Sequence, residues 1–375
     1  MTNPPAVPAP GDIQLVERPR QFDRPRLGLA LAEVDRLIRA NQARHVFTVD
    51  GSPLTVAVLD TGLNVDHVDF AGRVRAKVNF TSGAADDVSD RNGHGTNVAG
   101  IVVANGDHRG VAPGAGVVPL KVLSDGGGGS FSAVADALRW VLDHHSEHDI
   151  AAVCMSIQDG QNRPNDSGFE LDTIAQRIRE LRERRVAVVI SAGNMYFRHG
   201  SRQGMAYPAI LRQSVSVGAV YDEFEGDFAY PDGAAATSSG PDRITPFSQR
   251  LHESVDRHCH TDVFAPGAPV TSSGIDGPNG ESIQHGTSQA APVTAGVILL
   301  MQSLHRRLTG ELAPVDEVIA LLRDSALVIH DGDDENDNVQ HTNLEFRRID
   351  AFAALDALAR KVQKQLLLTG DPHHT

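Results

Sequence analysis

The chain has 375 residues, 41% of them hydrophobic, which is normal for a globular domain and enough for one large α/β core with small extensions. Lys and Arg number 34 against 48 Asp and Glu, and the formal charge of -14 argues against nucleic acid or an anionic membrane surface as a partner; it reads most simply as solubility. The two cysteines, Cys154 and Cys259, make no disulfide framework, the start has neither a basic n-region nor an apolar run, and no later run is apolar enough to span a bilayer, so the cytoplasm is expected.

Residues 1–26 are proline-rich and irregular. Leu27, Leu31, Val34, Leu37 and Ile38 recur at helical spacing and predict one amphipathic helix over about 27–44. The division expected is a proline-rich segment with a lead-in helix over 1–49, one large α/β domain over 50–362 and a tail over 363–375. The run Val56-Ala57-Val58-Leu59-Asp60-Thr61-Gly62 is a buried parallel strand with a carboxylate at its carboxyl end, where open α/β sheets place their sites. Asn92-Gly93-His94-Gly95-Thr96 sets a histidine between glycines at the entry to an apolar helix.

Helices are predicted over 133–145, which contains Trp140, and over 171–185. A buried strand covers 150–155, with Cys154 as a buried thiol. Another, 186–191, runs into Ala192-Gly193-Asn194. Gly286-Thr287-Ser288-Gln289-Ala290-Ala291-Pro292 opens a buried helix. Small neighbours let a substrate backbone approach Ser288, the helix start offers unpaired N–H groups, and Pro292 is placed in the first turn, where its missing N–H costs nothing. A last helix is predicted over 349–363. Strands alternating with helices mean a three-layer α/β fold: a mainly parallel twisted sheet with helices on both faces.

A lone buried Asp, a lone loop His, a turn Asn or a small-residue helix cap is ordinarily structural. Asp60, His94 and Ser288 together, each at a strand end or helix start, suit nucleophilic acyl transfer. The Asn194 amide and the Ser288 backbone N–H would then face the developing oxyanion.

The chain resembles the subtilisin-like serine peptidases. Four motifs carry the resemblance in the family's order: Asp60-Thr61-Gly62, Gly93-His94-Gly95-Thr96, Ala192-Gly193-Asn194 and Gly286-Thr287-Ser288 through Pro292. Gly110-Val111-Ala112-Pro113, Met155-Ser156-Ile157 and Ala265-Pro266-Gly267 add weaker matches, and the likeness covers roughly 50–360. It implies a serine endopeptidase acting on proteins or peptides, with Ser288 as nucleophile, His94 as base, Asp60 orienting the imidazole and Asn194 donating to the oxyanion. The rival is a catalytically silent scaffold used for binding.

By resemblance, Gly127, Gly128 and Gly129 form an edge that pairs with extended substrate, although four consecutive glycines from Gly126 also read as a flexible loop. Ser156, Ile157, Ala192 and Gly193 would line the other side. Gln158 and Asp159 stand where relatives often carry glycines, which narrows or polarises the pocket beside the scissile bond. Asn97 replaces a histidine and Gln289 a methionine common in relatives.

No cofactor is implied for catalysis. Structural calcium is admitted by the resemblance: Asp69 matches one family ligand, but the connection Asn105–Gly110 is short. The segment 331–338 alternates oxygen ligands without an EF-hand's glycine or final glutamate, and reads better as a solvated acidic loop. His252, His258, Cys259 and His260 are a weak zinc candidate, with His258 and His260 on one face of a strand. The N-terminal segment has two readings. In the favoured one the 27–44 helix packs permanently on the core. In the other the proline-rich stretch, with Arg18-Pro19-Arg20 and Arg24-Pro25-Arg26, lies across the groove as a poor substrate.

Overall fold

The computed structural model describes residues 12–14 and 31–369. In chain order the elements are β1 (Ile13–Gln14), α1 (Ala32–Leu37), α2 (Ala40–Phe47), β2 (Thr55–Asp60), β3 (Val78–Asn79), α3 (His94–Val103), β4 (Gly116–Lys121), β5 (Gly128–Gly129), α4 (Phe131–His144), β6 (Ile150–Met155), α5 (Thr173–Glu183) and β7 (Ala187–Ser191). There follow β8 (Val215–Tyr221), β9 (Phe228–Ala229), β10 (Ala235–Ser238), β11 (Val263–Ala268), β12 (Val270–Ser273), β13 (Glu281–Gln284), α6 (Thr287–Thr309), α7 (Val315–Asp324), β14 (Leu327–His330), β15 (Asn336–Asp337), β16 (Glu345–Arg348) and α8 (Ala351–Thr369).

Nine strands form the central sheet in the order β14-β16-β11-β8-β7-β6-β2-β4-β3. All neighbours are parallel except β14 against β16. Alternation along β2 shows why there are three layers. Val56 and Val58 belong to one apolar cluster, with side chains of α1, α2, α3, α6, α7 and α8. Ala57 and Leu59 belong to the other, with α4 and α5. Every β2 residue is therefore buried, as a strand covered on both faces must be.

The chain leaves β2 for β4 on one side and later returns to β6 on the other. That reversal makes the carboxyl end of β2 a topological switch point, the position where open α/β sheets form their crevice. Asp60 is the last residue of β2.

The structure departs from the sequence expectations in several elements. The single helix over 27–44 is broken: Arg39 adopts a left-handed φ of 56° between α1 and α2. The reason is tertiary. Arg348 and the Ala351 N–H take up the Leu37 and Ile38 carbonyls, and Arg39 turns out to Asp350. Leu31, Val34 and Ile38 are buried in the core as expected, whereas Leu27 lies outside the described residues. The last helix runs on to Thr369, beyond the boundary expected at 363. His258 and His260 lie on a loop, and no strand forms there. The 331–338 segment is anchored at both ends: Asp331 pairs with the fully buried Arg250 at 3.0 Å, and His341 bridges Asp331 and Asp337. Among the described residues, no helix is long and apolar enough to cross a membrane.

Candidate active site

Three elements converge at the switch point. The first is the end of β2. His94 Nδ1 lies 2.7 Å from Asp60 Oδ1, and both side chains are 1% exposed. A carboxylate accepts, so Nδ1 carries the proton and Nε2 is left as the basic nitrogen of the neutral ring. The Thr61 N–H also donates to Asp60 Oδ1, at 2.7 Å, which fixes the carboxylate from its own backbone.

The second is the start of α3. Its first-turn N–H groups are served by Asp90: Oδ1 accepts from the Gly93 N–H at 2.9 Å, and Oδ2 from the Thr96 N–H at 2.9 Å and hydroxyl at 2.7 Å. The helix start thus has a buried carboxylate where unpaired donors and the dipole favour one. The Thr61 hydroxyl donates to Asp90 and accepts from the Gly95 N–H, tying α3 to β2. Glycine is required at 95, because a Cβ there would lie 2.3 Å from the Gly62 carbonyl oxygen.

The third is the start of α6. Thr287 donates to Asn194 Oδ1 through both its N–H, at 2.9 Å, and its hydroxyl, at 2.8 Å. Only an oxygen can accept both, so the amide is oriented with Nδ2 on its other side. That Nδ2 makes no hydrogen bond to any described residue. The Gly193 N–H donates to the Thr287 hydroxyl at 3.2 Å. Ser288, 5% exposed, is the second residue of α6, among the positions whose N–H groups have no intrahelical acceptor.

Pro292 is the sixth residue of α6, not part of its first turn as the sequence reading had it. There its missing N–H leaves the Ser288 carbonyl without its helical partner. The Ser156 hydroxyl takes that place, donating at 2.7 Å. The proline is thereby coupled to the carboxyl end of β6, and the turn carrying Ser288 is tethered to the sheet. Gln289 donates to Asn97 and to Gln284, and Gln284 donates to the Gly93 carbonyl, so α6 is also joined to α3. The two departures at 97 and 289 are thus partners of one another.

The substrate edge expected at Gly127, Gly128 and Gly129 is a short strand. Ile13 and Gln14 pair antiparallel with Gly129 and Gly128, so a piece of the N-terminal segment occupies that edge. Ile13 is 1% exposed and joins the α4–α5 cluster. The two Arg-Pro-Arg stretches lie outside the described residues. Ser156 and Ile157 follow the end of β6, and Ala192 and Gly193 the end of β7; the Asn194 N–H donates across to Gln158 at 3.1 Å.

A second Asp–His pair lies apart from this triangle. His108 Nδ1 lies 2.6 Å from Asp69 Oδ2, the Ser273 hydroxyl donates to the same oxygen at 2.5 Å, and His108 Nε2 faces Glu281 at 3.4 Å. His67 accepts the Asp69 N–H at Nδ1 and donates from Nε2 to the Gly280 carbonyl. Asp69 therefore meets protein donors on both oxygens, which is not the lone-pair arrangement a calcium ion needs. Burial pushes the Asp69 carboxyl up, but the bonds from His108 and Ser273 outweigh it and hold it at about 2. Burial pulls His108 down, and its bonds to Asp69 and Glu281 carry it above its ordinary 6.5. His67, Asp69 and His108 nonetheless converge closely enough to be a metal candidate, as do Asp331, Glu335 and His341. Among the described residues, no convergent group includes His252, His258, Cys259 or His260. The Cys259 thiol is pushed up to about 12 by burial beside Asp166, and burial raises Cys154 further, so neither is a thiolate nucleophile.

The subtilase family model matches residues 51–348, most of the chain. The chain belongs to the subtilase family. It is 30% identical over 269 residues to Subtilisin of Bacillus sp. (strain TA39), covering 68% of this chain and 58% of that relative. It is 32% identical over 247 residues to Subtilisin-like protease 1 of Pseudogymnoascus destructans, covering 66% and 51%. Against the Major intracellular serine protease of Bacillus subtilis (strain 168) the identity is 27% over 281 residues, covering 73% and 76%. The chain spans little more than half the length of the first two. In this subtilase the sequence reading missed Asp90, the Thr287 hydroxyl and the Asp69–His108 pair. Asp90 had a detectable signal, an acid three residues before a Gly-His-Gly helix start.

Proposed function

We propose that this subtilase is a serine endopeptidase that hydrolyses peptide bonds in proteins or peptides, with Asp60, His94 and Ser288 as its triad. The observation that carries the proposal is the 2.7 Å bond between His94 and Asp60 at the switch point, on a helix start that Gln284 and Gln289 join to the helix start bearing Ser288. Neutral His94 accepts the Ser288 proton as the hydroxyl oxygen attacks the carbonyl carbon. Asp60 holds the imidazole tautomer and stabilises the imidazolium that results. The oxyanion receives the Asn194 Nδ2–H and the Ser288 N–H. His94 then returns the proton to the leaving amine, and water repeats the cycle on the acyl-enzyme.

The Thr287 clamp on Asn194 caps the first N–H of α6 and also turns the Asn194 amide donor outward, an orientation that a silent scaffold would not use. The test is labelling with a fluorophosphonate and hydrolysis of denatured protein, for wild type and Ser288→Ala. Loss of both in a folded variant supports the assignment; labelling that persists at another serine removes it.

The contact of Ile13 and Gln14 with Gly128 and Gly129 favours the N-terminal segment as an occupant of the substrate edge, the reading ranked second on sequence. An extended substrate competes for the same backbone groups. The helical lead-in is compatible with this role, since α1 and α2 pack on the opposite face of the sheet from Ile13.

A further inference from the structure

The peptidase reading leaves open which side chain is accepted on the acyl side of the scissile bond. That side chain hangs on the carbon next to the attacked carbonyl, and the carbonyl must lie within reach of Ser288 and Asn194 at once. It is therefore expected to enter between the segments that follow β6 and β7, at 156–160 and 192–195, the first tied to the Ser288 carbonyl through Ser156 and the second bearing Asn194.

In this chain the cleft is not lined by backbone alone. Gln158 is 4% exposed, and its Oε1 accepts the Asn194 N–H at 3.1 Å, so its carboxamide crosses from one wall to the other. Its Nε2 makes no hydrogen bond to any described residue. A second amide presses in behind it. Gln249, fully buried, donates from Nε2 to the Gln161 carbonyl at 3.0 Å and to Asn162 at 2.7 Å, which turns its Oε1 towards Gly193. That Oε1 has no hydrogen-bond partner among the described residues. A Cβ built on Gly193 would lie 2.1 Å from Gln249 Oε1 and 3.0 Å from Gln158 Oε1, so both amides sit against the open face of that glycine.

The wall carrying Gln158 is braced. Asp159 pairs with Arg163 at 2.7 Å in a buried ion pair, and its Oδ1 accepts the Gln161 and Tyr207 N–H groups at 3.1 Å. Swinging Gln158 aside would strand the Asn194 N–H without its acceptor.

We infer that Gln158 is a specificity-determining residue, and that its carboxamide, backed by Gln249, restricts the acyl-side residue of the substrate to small side chains such as Gly, Ala or Ser. The inference rests on the peptidase reading and goes beyond it. Large apolar side chains are rejected for two reasons. The volume they need is filled, and they would desolvate the unpaired Gln158 Nε2 without offering an acceptor.

The test uses the full-length protein and peptides identical except for Gly, Ala, Ser, Leu or Phe on the acyl side, together with mapping of cleavage sites in a denatured protein. Wild type should favour Ala over Phe by about tenfold or more in kcat/KM, of the order that a few methylenes command in a closed pocket. Gln158→Gly should raise the Phe-to-Ala ratio by about tenfold or more. Gln158→Ala provides a second variant should the glycine unfold, and fluorophosphonate labelling of Ser288 checks that each site is assembled. Wild-type cleavage after Phe or Leu as fast as after Ala overturns the inference alone, as does an unchanged ratio in both labelled variants. Absence of labelling and of all cleavage in wild type overturns the peptidase reading and this inference with it.

Discussion

Asp60 and Asp69 stand nine positions apart, and each holds a histidine by Nδ1, at 2.7 Å and 2.6 Å. Their surroundings differ. Asp69 is also bonded by Ser273, and the far nitrogen of its histidine meets a second carboxylate, Glu281. These bonds hold β12, β13 and the 105–109 turn together. Asp60 instead ends a strand at the switch point, and its histidine opens a helix that Gln284 and Gln289 join to the start of α6, where Asn194 is clamped. A buried Asp–His pair is thus not in itself a catalytic sign; what decides its role is whether a nucleophile and an oriented donor share its cavity.

The largest expected effect breaks the first pair. His94→Ala or Ser288→Ala should lower kcat by about 10⁴–10⁶, a range set by subtilisin itself. His108→Gln should leave kcat/KM within about threefold. Steady-state assays of the three variants at equal concentration of folded protein check this contrast.

Asn194→Ala should lower kcat by about 10²–10³ and change KM little, because the oxyanion exists only in the transition state; this magnitude too comes from subtilisin. A raised KM at constant kcat would make Asn194 a ground-state contact.

Deleting residues 1–26 removes β1 from the edge beside the first pair. Burial of one isoleucine stabilises by about 1.5–3 kcal/mol, so activity on a short peptide should rise by about tenfold or more. Unchanged activity would make β1 a tail that leaves the groove freely.

The smallest effect, on stability alone, sharpens the second pair. The folded state holds the His108 pKa above 6.5 and the Asp69 pKa at about 2, below 3.8. The His108 contribution is complete below pH 6.5 and fades as pH rises through its raised value. The Asp69 contribution is complete above pH 3.8 and fades as pH falls towards 2. Denaturant melts of wild type and His108→Gln should therefore differ most between about pH 4 and 6.5, by about 3 kcal/mol, the cost of stranding one member of a buried pair. The gap should shrink at alkaline pH.

The comparison also shows what was legible in the sequence. The strand bearing Asp60, the glycine-flanked His94 and the small residues around Ser288 follow local rules, so the fold and the placement of these three residues at a strand end and two helix starts could be read directly. Asp69–His108 could not, because it joins residues whose meeting depends on how β12 and β13 close over the turn. The break at Arg39 was hidden for the same reason: Arg348 and Ala351 override a sound helical period. Pro292 was misplaced by a turn because only the structure shows that α6 starts at Thr287 and that Ser156 replaces the lost helical bond. Gln158 and Asp159 were visible as departures, but that one crosses the cleft while the other braces it required coordinates.

The most direct measurement is site-mapped fluorophosphonate labelling of wild type, His94→Ala and His108→Gln, with the labelled peptide sequenced by mass spectrometry. The account predicts a single label on Ser288, formed at similar rates in wild type and His108→Gln and abolished in His94→Ala. A label on another serine, or one whose rate depends on His108 and not on His94, would contradict it.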